Sequence, residues 1–154
     1  MPNYSYSTVT ATLVASTAYT ALEIKAPATT GIKIKKWWVE LNSVTSTDKQ
    51  VLAQIGQFSA GVTTLTAVTP AKVDWGDASL ASQCTVGVNA TTEGAGTFTS
   101  GYEQHSIGAS SGLTIWDPDD MCWQIPPNAF FRIRLTPGSA LTTTTAAVGC
   151  AWGE

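Results

Sequence analysis

Apolar and polar residues alternate along most of the chain with the two-residue period of a strand that buries one face. Such runs cover residues 4–14, 17–26, 32–41, 50–58, 83–88, 96–105, 113–116, 129–136 and 143–152. Gly, Pro, Asn, Ser and Asp separate them, the residues that turns select. No window of a dozen residues places apolar side chains at i, i+3, i+4 and i+7 between good helix formers. The pattern predicts an all-β chain of about nine strands with little or no helix, a sandwich or a barrel. The clearest strand is AFFRIRLTPG, residues 129–138. Phe131, Ile133 and Leu135 are assigned to the core, and Phe130, Arg132 and Arg134 to an outer face. Pro126, Pro127 and Asn128 mark its entry turn, and Pro137-Gly138 stops it.

The stretch GIKIKKWWVELN, residues 31–42, breaks its own alternation. Ile32 and Ile34 share one parity; Trp37, Val39 and Leu41 share the other. A β-bulge at Lys35-Lys36 restores a single apolar face, because one extra residue re-aims everything after it. Trp37 is then expected in the core and Trp38 on the outer face beside Lys36. By strict alternation the basic cluster Lys33, Lys35 and Lys36 is split across two faces. Two segments lack a period. Residues 69–82 read as a long connection with one helical turn at 78–81, and residues 89–96 as a loop tip. No repeat or linker divides the chain, so residues 1–154 are expected to form one domain.

Composition sharpens this picture. Charged residues make up 12% of the chain, about half of the usual 25% or so. Thr and Ser fill about a quarter of the positions, and β-branched Thr suits a pleated, half-exposed surface. The formal charge is −3 with a pI near 5.0, against a nucleic-acid binder, which shows a basic face. Cys84, Cys122 and Cys150 are odd in number and widely spaced, so buried free thiols are expected, not a disulfide framework. The start, MPNYSYSTVTATLV, lacks the basic and apolar regions of a signal peptide, and no run suffices to span a bilayer. The expectation is a soluble product of the cytoplasm without membrane partners.

Catalytic and metal patterns fare poorly. Residues 108–112 spell G-x-S-x-G, but a nucleophile elbow needs a helix after it and a downstream His. Here a strand-like segment follows, and the single histidine, His105, lies upstream. Glu103 and His105 share a strand face, which suits a polar pair better than a metal site wanting three or four ligands. Asp117, Asp119 and Asp120 form the densest acidic cluster. A Pro-Asp turn explains them without calcium, since the spacing of a calcium loop is absent. The sequons at Asn3 and Asn89 carry little without a secretory signal. No phosphate-cradling loop appears. The reading is a non-enzyme with no cofactor and no metal.

Six tryptophans are many for this length. Trp75, Trp116, Trp123 and Trp152 are assigned to the core. Trp37 and Trp38 are adjacent, so both cannot enter one core. Trp38, with Lys36, and the outward Phe130 are candidates for a partner surface, because tryptophan is enriched where binding energy concentrates. Tyr4 and Tyr6 join them: residues 1–14 could form an extended arm or edge strand that adds to a neighbour's sheet. Outward aromatics on a β-sandwich would also suit sugar rings, so a carbohydrate-binding module is the competing reading.

The segments TVTATLVASTAYTALEIKAPAT, IKIKKWWVELN, TPAKVD, IPPNAFFRIRLTPGSA and the closing GCAWGE resemble, in this order, the small capsid decoration (cement) proteins of tailed bacteriophages. The resemblance covers nearly the whole chain. It implies a β-sandwich of jelly-roll type without chemistry of its own. Such a protein binds the exterior of an expanded capsid, as a trimer, and bridges major capsid subunits. It implies a virion location after synthesis in the host cytoplasm. Another virion part, a head-fibre base or tail component, would share the same features.

Overall fold

The computed structural model describes residues 2–43, 50–73, 81–93, 96–108, 112–116, 123–139 and 144–154. They form twelve strands: β1 (Asn3–Val9), β2 (Tyr19–Lys25), β3 (Ile32–Ser43), β4 (Gln50–Phe58), β5 (Thr66–Val68), β6 (Ala71–Lys72), β7 (Thr85–Val88), β8 (Phe98–Gly108), β9 (Gly112–Trp116), β10 (Trp123–Ile125), β11 (Phe130–Pro137) and β12 (Thr144–Gly153). No helix occurs among the described residues. A front sheet runs β10-β3-β12-β1-β6, with β9 also on β3, and a back sheet runs β5-β7-β2-β11-β4-β8. Every pairing is antiparallel.

One regularity organises the pairings. β1 pairs with β12, β2 with β11, β3 with β9 and β4 with β8. The first four strands thus meet four later ones in reverse order, and successive pairs fall in alternate sheets. These four pairs trace an antiparallel ribbon that passes through both layers. Between the layers lies a single cluster of buried side chains from both sheets, including Trp37, Val39, Val148 and Trp152 from the front and Leu22, Ile55, Phe131 and Ile133 from the back. Burying a large apolar side chain stabilises by about 1.5–3 kcal/mol, so the alternation seen in the sequence carries most of the fold's stability.

The sequence placed nine segments close to observed strands and missed β5, β6 and β10, which have three, two and three residues. Strands that short hold too few alternations to register. β6 lies inside the expected connection 69–82; the helical turn expected there falls largely outside the described residues. The first strand ends at Val9 instead of residue 14, and beyond it Leu13 makes one isolated bridge to Thr144. β1 pairs along its whole length with β12 of its own sheet, and at Tyr4 and Ser5 also with β6. The entry turn of β11 is as expected. Asn128 takes φ of 62°, a left-handed conformation that Asn tolerates, and the Ala129 N–H bonds the Pro126 carbonyl at 3.1 Å.

Candidate interaction surface

The β3–β12 register shows the bulge. Ala151 pairs with Lys36 and Trp152 with Ile34, leaving Lys35 as the extra residue. Ile32, Ile34, Trp37, Val39 and Leu41 all face the core, each at most 4% exposed. The basic cluster is therefore not split, which corrects strict alternation. With Ile34 and Trp37 both inward, Lys35 and Lys36 sit together on the outer face, joined by Lys33 one step earlier. The Lys35 Nζ donates to Asn3 Oδ1 at 2.6 Å, across β12. The Lys36 Nζ stands 5.1 Å from the centre of the Trp38 ring, within cation–π range.

Trp38 occupies the middle of this face. Its register partner on β12 is Gly149, and Ser7 of β1 follows on the far side. The indole lies over Gly149: a Cβ placed there would sit 1.9 Å from the ring. Thr145, Ala147, Gly149, Ala151 and Gly153 alternate with the buried residues of β12 and form a floor of small residues. The half-buried Trp38 borders a shallow depression of about 300 Å³ with Ser5, Tyr6, Ser7, Thr69 and Ala71.

The chain itself closes the part of the back sheet's outer face around Arg132, and sequence reasoning missed this. Arg132, assigned to an outer face, is 0% exposed. Its Nε donates to Glu23 Oε2 at 2.9 Å, its Nη1 to Glu93 Oε1 at 3.2 Å, and its Nη2 to the Ala60 carbonyl at 2.7 Å. The guanidinium lies 3.8 Å from the centre of the Phe58 ring. Glu23 also accepts the Val62 N–H, at 3.1 and 3.2 Å from its two oxygens, and Glu93 accepts the Thr20 hydroxyl at 2.7 Å. Burial pushes the Glu23 carboxyl above its ordinary range, with Arg132 opposing that rise. The cluster ties the 59–62 loop and Glu93 down onto β2 and β11. Only the run of charged letters at alternate positions hinted at it; the partners are more than thirty residues away in sequence.

The remaining candidates separate. Tyr4 is buried at 2% exposure, its ring 6.2 Å from that of Trp152, so it is removed from any outward surface. Tyr6 packs partly against the core and contributes to the depression beside Trp38. Phe130 lies in the opposite sheet, half-buried, with Lys25 Nζ at 5.7 Å and its ring where a Gly61 side chain would be. The structure therefore brings Lys36, Trp38 and Tyr6 together and leaves Phe130 apart. Trp152 is fully buried and Trp123 packs against the core, as assigned. Trp75 lies outside the described residues, as do Cys122 and the acidic cluster 117–120.

Glu103 and His105 do form a pair, Oε1 to Nε2 at 2.5 Å, and the His105 ring lies 5.7 Å from Trp37. Cys84 and Cys150 are buried free thiols, and burial, reinforced by Glu154, pushes the Cys84 thiol up to about 12. Among the described residues no three His, Cys, Asp or Glu side chains gather as a metal-ligand set, and no helix is long and apolar enough to cross a membrane. Comparison with protein-family models, with curated proteins and with solved structures yields no match.

Proposed function

We propose that the chain is a non-enzymatic structural protein of a phage virion, bound to the capsid exterior, where it stabilises the shell by bridging major capsid subunits as a trimer. The observation that carries this reading is the asymmetry of the two outer faces. On the back face the 59–62 loop and Glu93 lie over Arg132, whose charge pairs internally with Glu23 and Glu93. The front face presents Trp38 and three lysines over a floor of small residues. A face with an aromatic anchor among its described residues suits a flat partner, and many copies on a lattice multiply a modest contact into firm attachment. The rolled-ribbon pairing order supports the jelly-roll form of the sandwich. The test is co-sedimentation with expanded shells of the phage whose genome encodes the chain, together with sedimentation velocity. Stoichiometric binding and a trimer, free or shell-bound, are expected; a monomer that leaves the shells unbound refutes the proposal. The half-buried indole beside the Ser5 and Ser7 residues favours a second reading, carbohydrate binding by stacking. A glycan array separates the two.

A further inference from the structure

The connection from β1 to β2, residues 10–18, crosses from the front sheet to the back one, and the segment 89–93 after β7 lies against it. Between them is a cavity of about 450 Å³, within the range of roughly 300–1,000 Å³ usual for small-molecule sites. Both walls are braced from behind. The Leu13 N–H bonds the Thr144 carbonyl at 2.8 Å, and the Ser16 N–H that of Pro137 at 2.9 Å. Asn89, in a left-handed conformation with φ of 54°, donates its Nδ2 to the Val9 carbonyl at 3.1 Å and accepts the Tyr19 hydroxyl at 3.0 Å. The Thr92 N–H bonds Thr64 Oγ1 at 3.1 Å. Walls fixed in this way need little further ordering to receive a ligand.

The lining is of two kinds. Ala11, Val14, Ala18 and Tyr19 give it apolar surface, and Val14 is 63% exposed. Thr12, Thr17, Thr91 and Thr92 set exposed residues with hydroxyls around that surface. Glu93 is the one charged side chain of the lining, 19% exposed. Arg132 bonds one of its oxygens and the Thr20 hydroxyl the other. A carboxylate offers about four acceptor positions, so Glu93 can still accept from a ligand. An anion is repelled by Glu93, and a cation competes with Arg132, which already holds that carboxylate. A purely apolar ligand strips water from hydroxyls and a carboxylate without replacing the bonds. A ring with an apolar face and a hydroxyl edge satisfies both kinds of lining at once.

We propose that this cavity binds one ring of a neutral saccharide, its C–H face on Val14 and Tyr19 and its hydroxyls on Glu93 and the threonine rim. The site shares no residue with the depression beside Trp38 and rests on neither reading of the front face. The full chain is screened on a glycan array, and a neutral glycan that binds is titrated free into isotope-labelled chain and followed by amide NMR. Signals of residues 11–19 and 89–93 are expected to move. Val14→Arg fills the cavity from an exposed position and should weaken binding about tenfold or more, with the melting temperature unchanged. Thr91→Val, which removes a rim hydroxyl at constant size, should weaken it severalfold. Four outcomes overturn the proposal: no neutral glycan binds; binding is confined to sialylated or sulfated glycans; butylammonium moves the same amides at lower concentration than the glycan; or Trp38→Ser abolishes glycan binding while Val14→Arg leaves it intact, which places the sugar on the front face. Val14→Arg should sediment with shells like wild type, so the capsid reading and this one stand or fall separately.

Discussion

At the level of single residues, two side chains decide what each sheet shows to the outside. Arg132 is a charge with no exposure, and its cost is met only while Glu23, Glu93 and the Ala60 carbonyl remain in place. Arg132→Met leaves Glu23 buried beside no cation and is expected to cost about 3–5 kcal/mol in urea unfolding. The double variant Arg132→Met/Glu23→Met should lose less than Arg132→Met alone, because no unpaired carboxylate is left at that position. Trp38 is the converse case, a ring kept over the sheet by what its partner lacks. Gly149→Ala should lift the indole at a cost of about 1 kcal/mol, since the ring end of the side chain can swing away. The readout is a red-shifted emission that disappears in a Trp38→Phe background. Glu154 gives the pH signature. Burial raises its carboxyl, but bonds from Ser82, the Gln83 N–H at 2.8 Å, Cys84 and the Trp152 indole at 3.2 Å outweigh that, and the net shift is downward. A lowered folded-state value contributes stability above the unfolded carboxylate range, near pH 4.3, and loses it as the pH falls through the folded value. The melting-temperature gap between wild type and Glu154→Gln should therefore be constant between about pH 5 and 7 and close below about pH 4.

Among the elements, β3 holds the two functions of the front sheet in one strand. Its apolar side chains keep one face only because Lys35 is supernumerary. Deleting Lys35 forces either Ile32 and Ile34 or Trp37, Val39 and Leu41 outward, since a one-residue slip inverts every side chain beyond it. The deletion should give insoluble or unfolded chain by circular dichroism, while Lys35→Gln, which keeps the extra residue, should fold with a near wild-type spectrum. This bulge was legible in the sequence because apolar parity reversed within a few residues, and so were the nine main strands and the core face of β11. The collected lysines were not: alternation counts positions, whereas a bulge sets two neighbours on one side. Nor was the burial of Arg132, which depends on a loop brought over it by folding, nor that of Tyr4, whose spacing is the same for an outer and an inner face. β10 and β6 escaped because two or three residues contain no period.

For the whole molecule, the pairing order has kinetic weight. Nearly every strand pair joins distant parts of the chain, so loop closure precedes most of the stabilising contacts. Refolding from urea is expected on the millisecond-to-second scale of other non-local β-folds, followed by stopped-flow fluorescence. The outermost pair of the ribbon has a consequence for engineering. Asn3 stands opposite Gly153 in adjacent strands, about 5 Å apart. Polypeptides grafted before residue 3 and after residue 153 would leave from the same corner of the same layer. One copy could then display an antigen and its adjuvant as immediate neighbours, with spacing fixed by a β-ladder instead of by linker length.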